Sequence, residues 1–179
     1  MLEKLGRIPG LVRARVAFRR GRVGWRVHVG GRLIVDNRGR LEVADRTFFI
    51  SGIVPAELVC KPGAELIIGE SVGFGYGVSI RSSASIRIGG RTLVGAMVRI
   101  RDADGFVVRP VWIGEDVWIA HGAIIEPGVT IGRGAVVAAG SVVTCNVPDG
   151  MMAAGNPARV IPIRAAPQSR RIATAAGLP

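Results

Sequence analysis

Few side chains in this sequence can move a proton near neutral pH. Histidine occurs twice, at His28 and His121, and imidazole is the side chain whose ordinary pKa suits a general base. Asp102 and Asp104 are close together in the chain, and either would need a substantially raised pKa to act as a base. Their simplest role is to cap a loop turn. A zinc centre with three imidazoles is excluded because only two histidines exist, and we predict no metal.

The net charge of +11 is concentrated at the start of the chain. Residues 1–40 hold Lys4 and ten arginines against Glu3 and Asp36, whereas the rest of the chain is nearly neutral. Apolar residues are interspersed there, which predicts a basic helical extension over residues 1–26, broken into two pieces at Pro9-Gly10. Two interpretations remain open: a solvated helix packed on its own domain, or one that docks on an anionic membrane surface. Neither involves nucleic acid.

No run of about 18 apolar residues is present, so the sequence predicts no membrane-spanning helix. The first twenty residues are basic without a following apolar block, unlike a secretory signal. Cys60 and Cys145 are far apart and do not indicate a disulfide framework. We therefore expect a cytoplasmic protein, with peripheral contact at the inner face of the membrane as one possibility for the basic segment.

Aliphatic residues recur every six positions through the second half of the chain. The series, each followed four positions later by a small or β-branched residue, is Ile113, Ile119, Ile125, Ile131, Val137 and Val143. Upstream, Ile68/Phe74/Ile80 and Ile88/Val94/Ile100 keep the same step. A helix needs a period of 3.6 and an exposed strand a period of 2, so six fits a short strand and a turn repeated as the sides of a coiled prism. We predict four three-sided coils over Ile68–Pro148, after one or two irregular coils.

Several segments resemble the hexapeptide-repeat acyltransferases, and are closest to the sugar and polysaccharide O-acetyltransferases and the xenobiotic acetyltransferases. The resemblance covers roughly residues 64–163 and rests on the runs VWIGEDVWI (111–119), EPGVTIG (126–132), AAGSVVT (138–144) and AGNPARVI (154–161). It implies an all-β fold, a left-handed parallel β-helix over residues 27–163 with a C-terminal tail at 164–179. It also implies a homotrimer that transfers an acyl group from acetyl-CoA, or another acyl-CoA, to a hydroxyl or amine.

The resemblance also suggests where the acyl-CoA would lie. The residues expected along the acyl-CoA arm are Trp118, Ala120, Ala138, Ala139, Gly140 and Thr144, and those expected at its nucleotide end are Asn156, Pro157 and Arg159. Arginine suits the phosphates because it donates charge-assisted hydrogen bonds. Cys145 departs from the family, which often carries a lysine there.

The catalytic base of the family is a histidine on a loop that interrupts the coils. Here that loop, residues 100–110, contains no histidine, and Phe106 occupies the expected position. His121, at a corner one repeat beyond the loop, is the candidate substitute base, while Asp102 and Asp104 can orient an acceptor sugar hydroxyl. Two functions stay open: an acyltransferase on a carbohydrate or lipid-linked sugar, or a catalytically impaired trimeric scaffold that still binds acyl-CoA.

Overall fold

A computed structural model describes residues 2–52, 54–105 and 107–163. One helix, α1 (Leu2–Ala17), precedes a succession of short strands. The strands, in chain order, are β1 (Arg22–Val23), β2 (His28–Gly30), β3 (Leu33–Asn37), β4 (Arg40–Val43), β5 (Phe48–Ile50), β6 (Ala56–Cys60), β7 (Glu65–Ile68), β8 (Gly73–Phe74), β9 (Ser79–Ser82), β10 (Ser85–Ile88), β11 (Leu93–Val94), β12 (Arg99–Arg101), β13 (Ala103–Asp104), β14 (Val107–Val108), β15 (Val111–Ile113), β16 (Trp118–Ile119), β17 (Ile124–Ile125), β18 (Thr130–Ile131), β19 (Val136–Val137), β20 (Val142–Val143), β21 (Met151–Gly155) and β22 (Ala158–Pro162).

The strands stack into three parallel sheets, which form the sides of a prism. Face A has the order β1-β4-β7-β10-β15-β18, face B begins β2-β5-β8-β11-β16-β19, and face C runs β3-β6-β9-β12-β17-β20. Each coil contributes one strand to every face, so the described part of the chain makes six coils, of which the last four begin with β7, β10, β15 and β18. The four coils predicted after one or two irregular ones are confirmed, and two coils precede them.

The aliphatic residues that recur every six positions form the core of the solenoid. All twelve residues of the predicted aliphatic series have buried side chains, no more than 4% exposed. Each side chain stacks on its equivalent one coil away, as Ile100 does on Ile125 and Ile125 on Val143. The small or β-branched residues between them, such as Val117, Ala123 and Ala135, are buried as well, and together the two sets exclude water from the prism axis.

Helix α1 closes the first coil of the prism. Ala14 and Phe18, one turn apart, are buried, and the Phe18 ring lies 5.8 Å from that of Phe49, which stacks on Phe74 at 4.7 Å. The predicted break at Pro9-Gly10 is wrong, since α1 is continuous through both residues. Packing against the end of the solenoid outweighs the local propensity, and a Cβ at position 10 would overlap the His28 imidazole.

Two hairpins depart from the regular coil. Strands β13 and β14 pair antiparallel in the loop that interrupts the repeats, and β22 folds back antiparallel on β21 at the end of face B. Strand β1 already pairs with β4, within the segment assigned from sequence to the extension 1–26. The tail 164–179 lies outside the described residues. Among the described residues, no helix is long and apolar enough to cross a membrane.

Candidate functional site

Successive coils stack their turns into columns at the corners of the prism. At the corner between faces B and C, the turn Ala120–Gly122 lies on the turn Ala138–Gly140. The Gly140 amide donates to the His121 carbonyl at 2.9 Å, and the Ala120 amide donates to the Val137 carbonyl at 2.9 Å. We refer to these two turns as the small-residue corner. Gly122 and Gly140 have φ of 68° and 66°, a left-handed conformation that glycine adopts without strain.

His121 is the one side chain of this corner that can transfer a proton. Its imidazole is exposed, and the alanines and glycines around it leave the backbone accessible. Within the described part of the chain, the amide N–H groups of His121 and Ala139 have no hydrogen-bond acceptor, whereas those of Ala120, Gly122 and Gly140 are all bonded. The corner therefore combines a titratable ring with two unused backbone N–H groups, which can donate hydrogen bonds to acceptor atoms of a ligand.

Apolar side chains flank the small-residue corner on both faces. Trp118 and Val136 are neighbours on the outside of face B, and Ile124 and Val142 are neighbours on the outside of face C. Trp118 is 54% exposed, and the other three are half-buried. An amphipathic ligand arm laid along this corner would meet amide groups at its centre and apolar side chains at both sides.

The C-terminal hairpin brings the remaining predicted contacts to the same end of the solenoid. Its turn consists of Asn156 and Pro157, and Arg159 pairs with Ala154 on the facing strand. The Gly155 amide donates to the buried Ser141 hydroxyl at 3.1 Å, which ties the hairpin to the last coil. The Arg159 side chain is exposed and, among the described residues, has no ion-pair partner.

Thr144 lies at a different corner from the alanines. It follows β20 at the corner between faces C and A, where the Glu126 amide donates to the Val143 carbonyl at 3.0 Å. Cys145, beside it, is exposed, and its thiol is 3.8 Å from the Ala158 carbonyl. The structure therefore groups Trp118, Ala120, Ala138, Ala139 and Gly140, and separates Thr144 from them by the width of face C.

Asp102 is buried and fully engaged in holding a turn. Its carboxylate has no exposed surface and accepts from the Ser82 hydroxyl at 3.0 Å and from the Ser83 and Ala84 amides at 2.6 and 2.8 Å. The turn it holds joins β9 to β10, where the aliphatic period shifts by two residues. This arrangement is structural, because all of the acceptor groups face protein donors.

Asp104 is exposed in the hairpin at the corner between faces C and A. Its nearest partner is Arg101 at 3.4 Å, and Arg101 also makes a two-pronged ion pair with Glu126 at 2.9 and 2.8 Å. Glu126 holds the pKa of Arg101 above its usual range. Sequence reasoning missed this pair, although Arg101 and Glu126 hold equivalent positions in adjacent coils. Phe106 lies outside the described residues.

Within one chain, His121 and Asp104 lie at opposite edges of face C. His121 precedes β17, and Asp104 follows β12, the strand stacked on β17. The width of that face separates them, so a single subunit does not bring His121 and Asp104 together as one catalytic pair.

Residues 110–145 match the family model of the bacterial transferase hexapeptide, six repeats. This segment includes the whole small-residue corner, the fifth coil, and the sixth coil as far as Cys145. The hexapeptide repeats and the three parallel sheets together establish the predicted fold, a left-handed parallel β-helix.

Solved structures with the same fold include several acetyltransferases. The chain is 23% identical to the polysialic-acid-specific acetyltransferase NeuO, with a TM-score of 0.61 over 85% of this chain and 90% of that one. A Vibrio cholerae hexapeptide-repeat acetyltransferase, solved with acetyl coenzyme A, is 23% identical, with a TM-score of 0.54 over 82% and 72% of the two chains. A Clostridium difficile maltose O-acetyltransferase is 26% identical, with a TM-score of 0.52 over 84% and 73%. Comparison with curated protein sequences gave no match.

Proposed function

We propose that this protein is an acyltransferase that moves an acyl group, in the simplest case acetyl, from acyl-CoA to a hydroxyl or amine of a sugar or glycan in the cytoplasm. The observation that supports this most is the hexapeptide-repeat match over residues 110–145, a segment that contains the small-residue corner. Acetyltransferases that act on maltose and polysialic acid share the fold.

The described residues suit an acyl-CoA molecule laid along the corner. Trp118, Ala138, Ala139 and Gly140 would contact its extended arm, because small side chains there leave the backbone within reach of amide groups. Arg159 would bind phosphate at the nucleotide end, next to Asn156 and Pro157. When bound, the donor supplies an activated thioester carbonyl. Thr144, at the next corner, would meet the donor only across face C.

His121 is our candidate for the catalytic base. As the acceptor oxygen or nitrogen bonds to the acyl carbon and the carbon–sulfur bond breaks, the imidazole would take the acceptor's proton and return it to the departing thiolate. The amide N–H of His121 or Ala139 would donate to the oxyanion. Asp104 remains a candidate for orienting the acceptor, whereas the hydrogen bonds of Asp102 favour a supporting role for it.

The test is release of free CoA thiol from acetyl-CoA by the purified protein in the presence of a panel of sugars. Base catalysis typically contributes about 10²–10⁴-fold, so we expect His121→Ala to lower kcat by that factor while acyl-CoA binding persists. Asp104→Asn, a matched change of an exposed group across face C, should raise KM for the acceptor more than it lowers kcat. A wild-type rate that survives His121→Ala would disprove the assignment of the base.

A second function is favoured by one observation, the absence of histidine from residues 100–110, with Phe106 in its expected place. The protein would then be a catalytically impaired scaffold that binds acyl-CoA. Calorimetry that detects acyl-CoA binding, with no thiol release for any acceptor, would favour this alternative. Recovery of activity in Phe106→His would indicate that the rest of the site is intact.

We also propose a homotrimer. Exposed or half-buried apolar residues lie on all three faces of the last coils, with Trp112 on face A, Trp118 on face B and Ile124 on face C. A neighbouring copy would cover them and could bring the loop of one subunit to the small-residue corner of another. Light scattering should give about three times the chain mass of 18.8 kDa, and a monomer at micromolar concentration would contradict this.

A further inference from the structure

The outward side of helix α1 forms an end surface on the solenoid. Ala14 and Phe18 face the core, and the residues two positions away from them lie on a different, exposed side of the helix. Val12 and Val16, one turn apart, are 57% and 67% exposed there, and Trp25, in the turn after β1, is 80% exposed. Three exposed apolar side chains therefore lie at the N-terminal end of the molecule.

The same end carries a concentration of positive charge. Residues 10–35 include seven arginines and no aspartate or glutamate. Arg22 and Arg26 form ion pairs with carboxylates of the second coil, Glu42 and Asp45. The remaining five have no ion pair within the described residues, and they are Arg13, Arg15, Arg19, Arg20 and Arg32. Arg15 instead lies over the Trp25 ring, at 5.1 Å from its centre.

A groove joins the apolar and the basic parts of this surface. It has a volume of about 350 Å³ and lies between α1 and strands β2 and β3. Val12, Val16 and Leu33 are among the side chains that line it, and Arg13 and Arg32 also border it. An apolar groove bordered by two guanidinium groups suits a molecule with a hydrocarbon part and an anionic head.

We propose that this end surface, consisting of Val12, Val16, Trp25 and the five arginines, docks on an anionic lipid bilayer. Moving exposed valines and a tryptophan from water into the interfacial region of a bilayer lowers the free energy, and arginines are attracted to the anionic headgroups. A nucleic acid would satisfy the arginines through its phosphates but would leave the two valines in water. The proposal goes beyond the acyltransferase function and does not depend on it.

Vesicle sedimentation with the full chain tests the proposal. We expect binding to vesicles of 70% phosphatidylcholine and 30% phosphatidylglycerol, little binding to pure phosphatidylcholine, and release by high salt. Each arginine near an anionic surface contributes roughly fivefold to binding, so Arg13→Gln/Arg32→Gln should weaken it about 25-fold. The matched control, Arg99→Gln/Arg109→Gln, removes two exposed arginines from the middle of the solenoid and should stay within about twofold of the wild type.

A second measurement reports on the apolar contact. In a Trp112→Phe/Trp118→Phe background, Trp25 is the remaining tryptophan, and lipids brominated on their chains should quench its fluorescence. The proposal is overturned if pure phosphatidylcholine binds equally well, if Trp25 is not quenched, or if the control loses as much affinity as the Arg13/Arg32 variant. Tighter binding to duplex DNA than to anionic vesicles would overturn it as well.

Discussion

A side chain in this solenoid is surrounded mainly by residues of the coils before and after it, and this determines which residues are available to a ligand. Ala120 and Ala138 occupy equivalent positions in consecutive turns, and their small size keeps the column between Trp118 and Ile124 open. Alanine at both positions limits how much of the neighbouring backbone a side chain can cover. The chemistry of the corner therefore depends on what is small as much as on the imidazole.

Arg159 is the residue whose predicted role is easiest to isolate. Its side chain is exposed and has no ion-pair partner among the described residues, so replacing it should leave folding intact. If it binds a CoA phosphate, Arg159→Ala should weaken CoA binding by about 1.5–3 kcal/mol, the range for a hydrogen bond to a charged group. Calorimetry with CoA and 3′-dephospho-CoA measures this, with Arg99→Ala as the control. Equal CoA affinity in the wild type and in Arg159→Ala would show that Arg159 does not bind a CoA phosphate.

At the scale of single elements, the β9–β10 turn depends on one buried carboxylate. Asp102→Asn keeps the size of the side chain but replaces an acceptor oxygen by an NH₂ group that faces protein donors. We expect a loss of about 2–4 kcal/mol in the free energy of unfolding, because at least one buried donor is left unsatisfied. Urea unfolding measures this. Asp104→Asn, which removes only an exposed ion pair, should cost less than about 1 kcal/mol, and equal losses in both would contradict the assignment.

The regular elements were predictable from sequence because inward-facing aliphatic residues repeat at a fixed step of six. The irregular elements were harder to predict. The Asp102 turn depends on three donors from residues about twenty positions earlier, and the Arg101–Glu126 pair depends on the length of the loop between their coils. The continuity of α1 through Pro9 also could not be read locally, because it reflects packing on β2. The small-residue corner was predicted by resemblance, and its separation from Thr144 emerged only from the coil geometry.

At the scale of the whole molecule, ion pairs along the corner between faces A and B connect one coil to the next. Asp116 accepts from Arg91 at 2.6 Å and from Arg133 at 3.2 Å, which links three successive coils. The hydrogen bond from Arg91 holds the pKa of Asp116 below its ordinary value of 3.8. Asp45 has a lowered pKa mainly through the Arg26 amide, and Glu65 through Arg87 and then Arg40. The coils are thus joined by carboxylates that favour the charged state in the folded protein.

This pattern predicts destabilisation in acid. A carboxyl group whose pKa is lower in the folded state than in the unfolded state stabilises the fold above its unfolded pKa, and that stabilisation is lost as the pH falls through the folded value. We expect the thermal unfolding midpoint to fall as the pH drops below about 4.

Arg91→Gln removes the main cause of the lowered pKa of Asp116, so the unfolding midpoint of this variant should be lower at pH 6 and should decline less between pH 6 and pH 2. Arg99→Gln, an exposed arginine without an ion pair among the described residues, should keep the wild-type slope. If Arg91→Gln follows the same acid profile as the wild type, these corner ion pairs do not couple protonation to the stability of the solenoid.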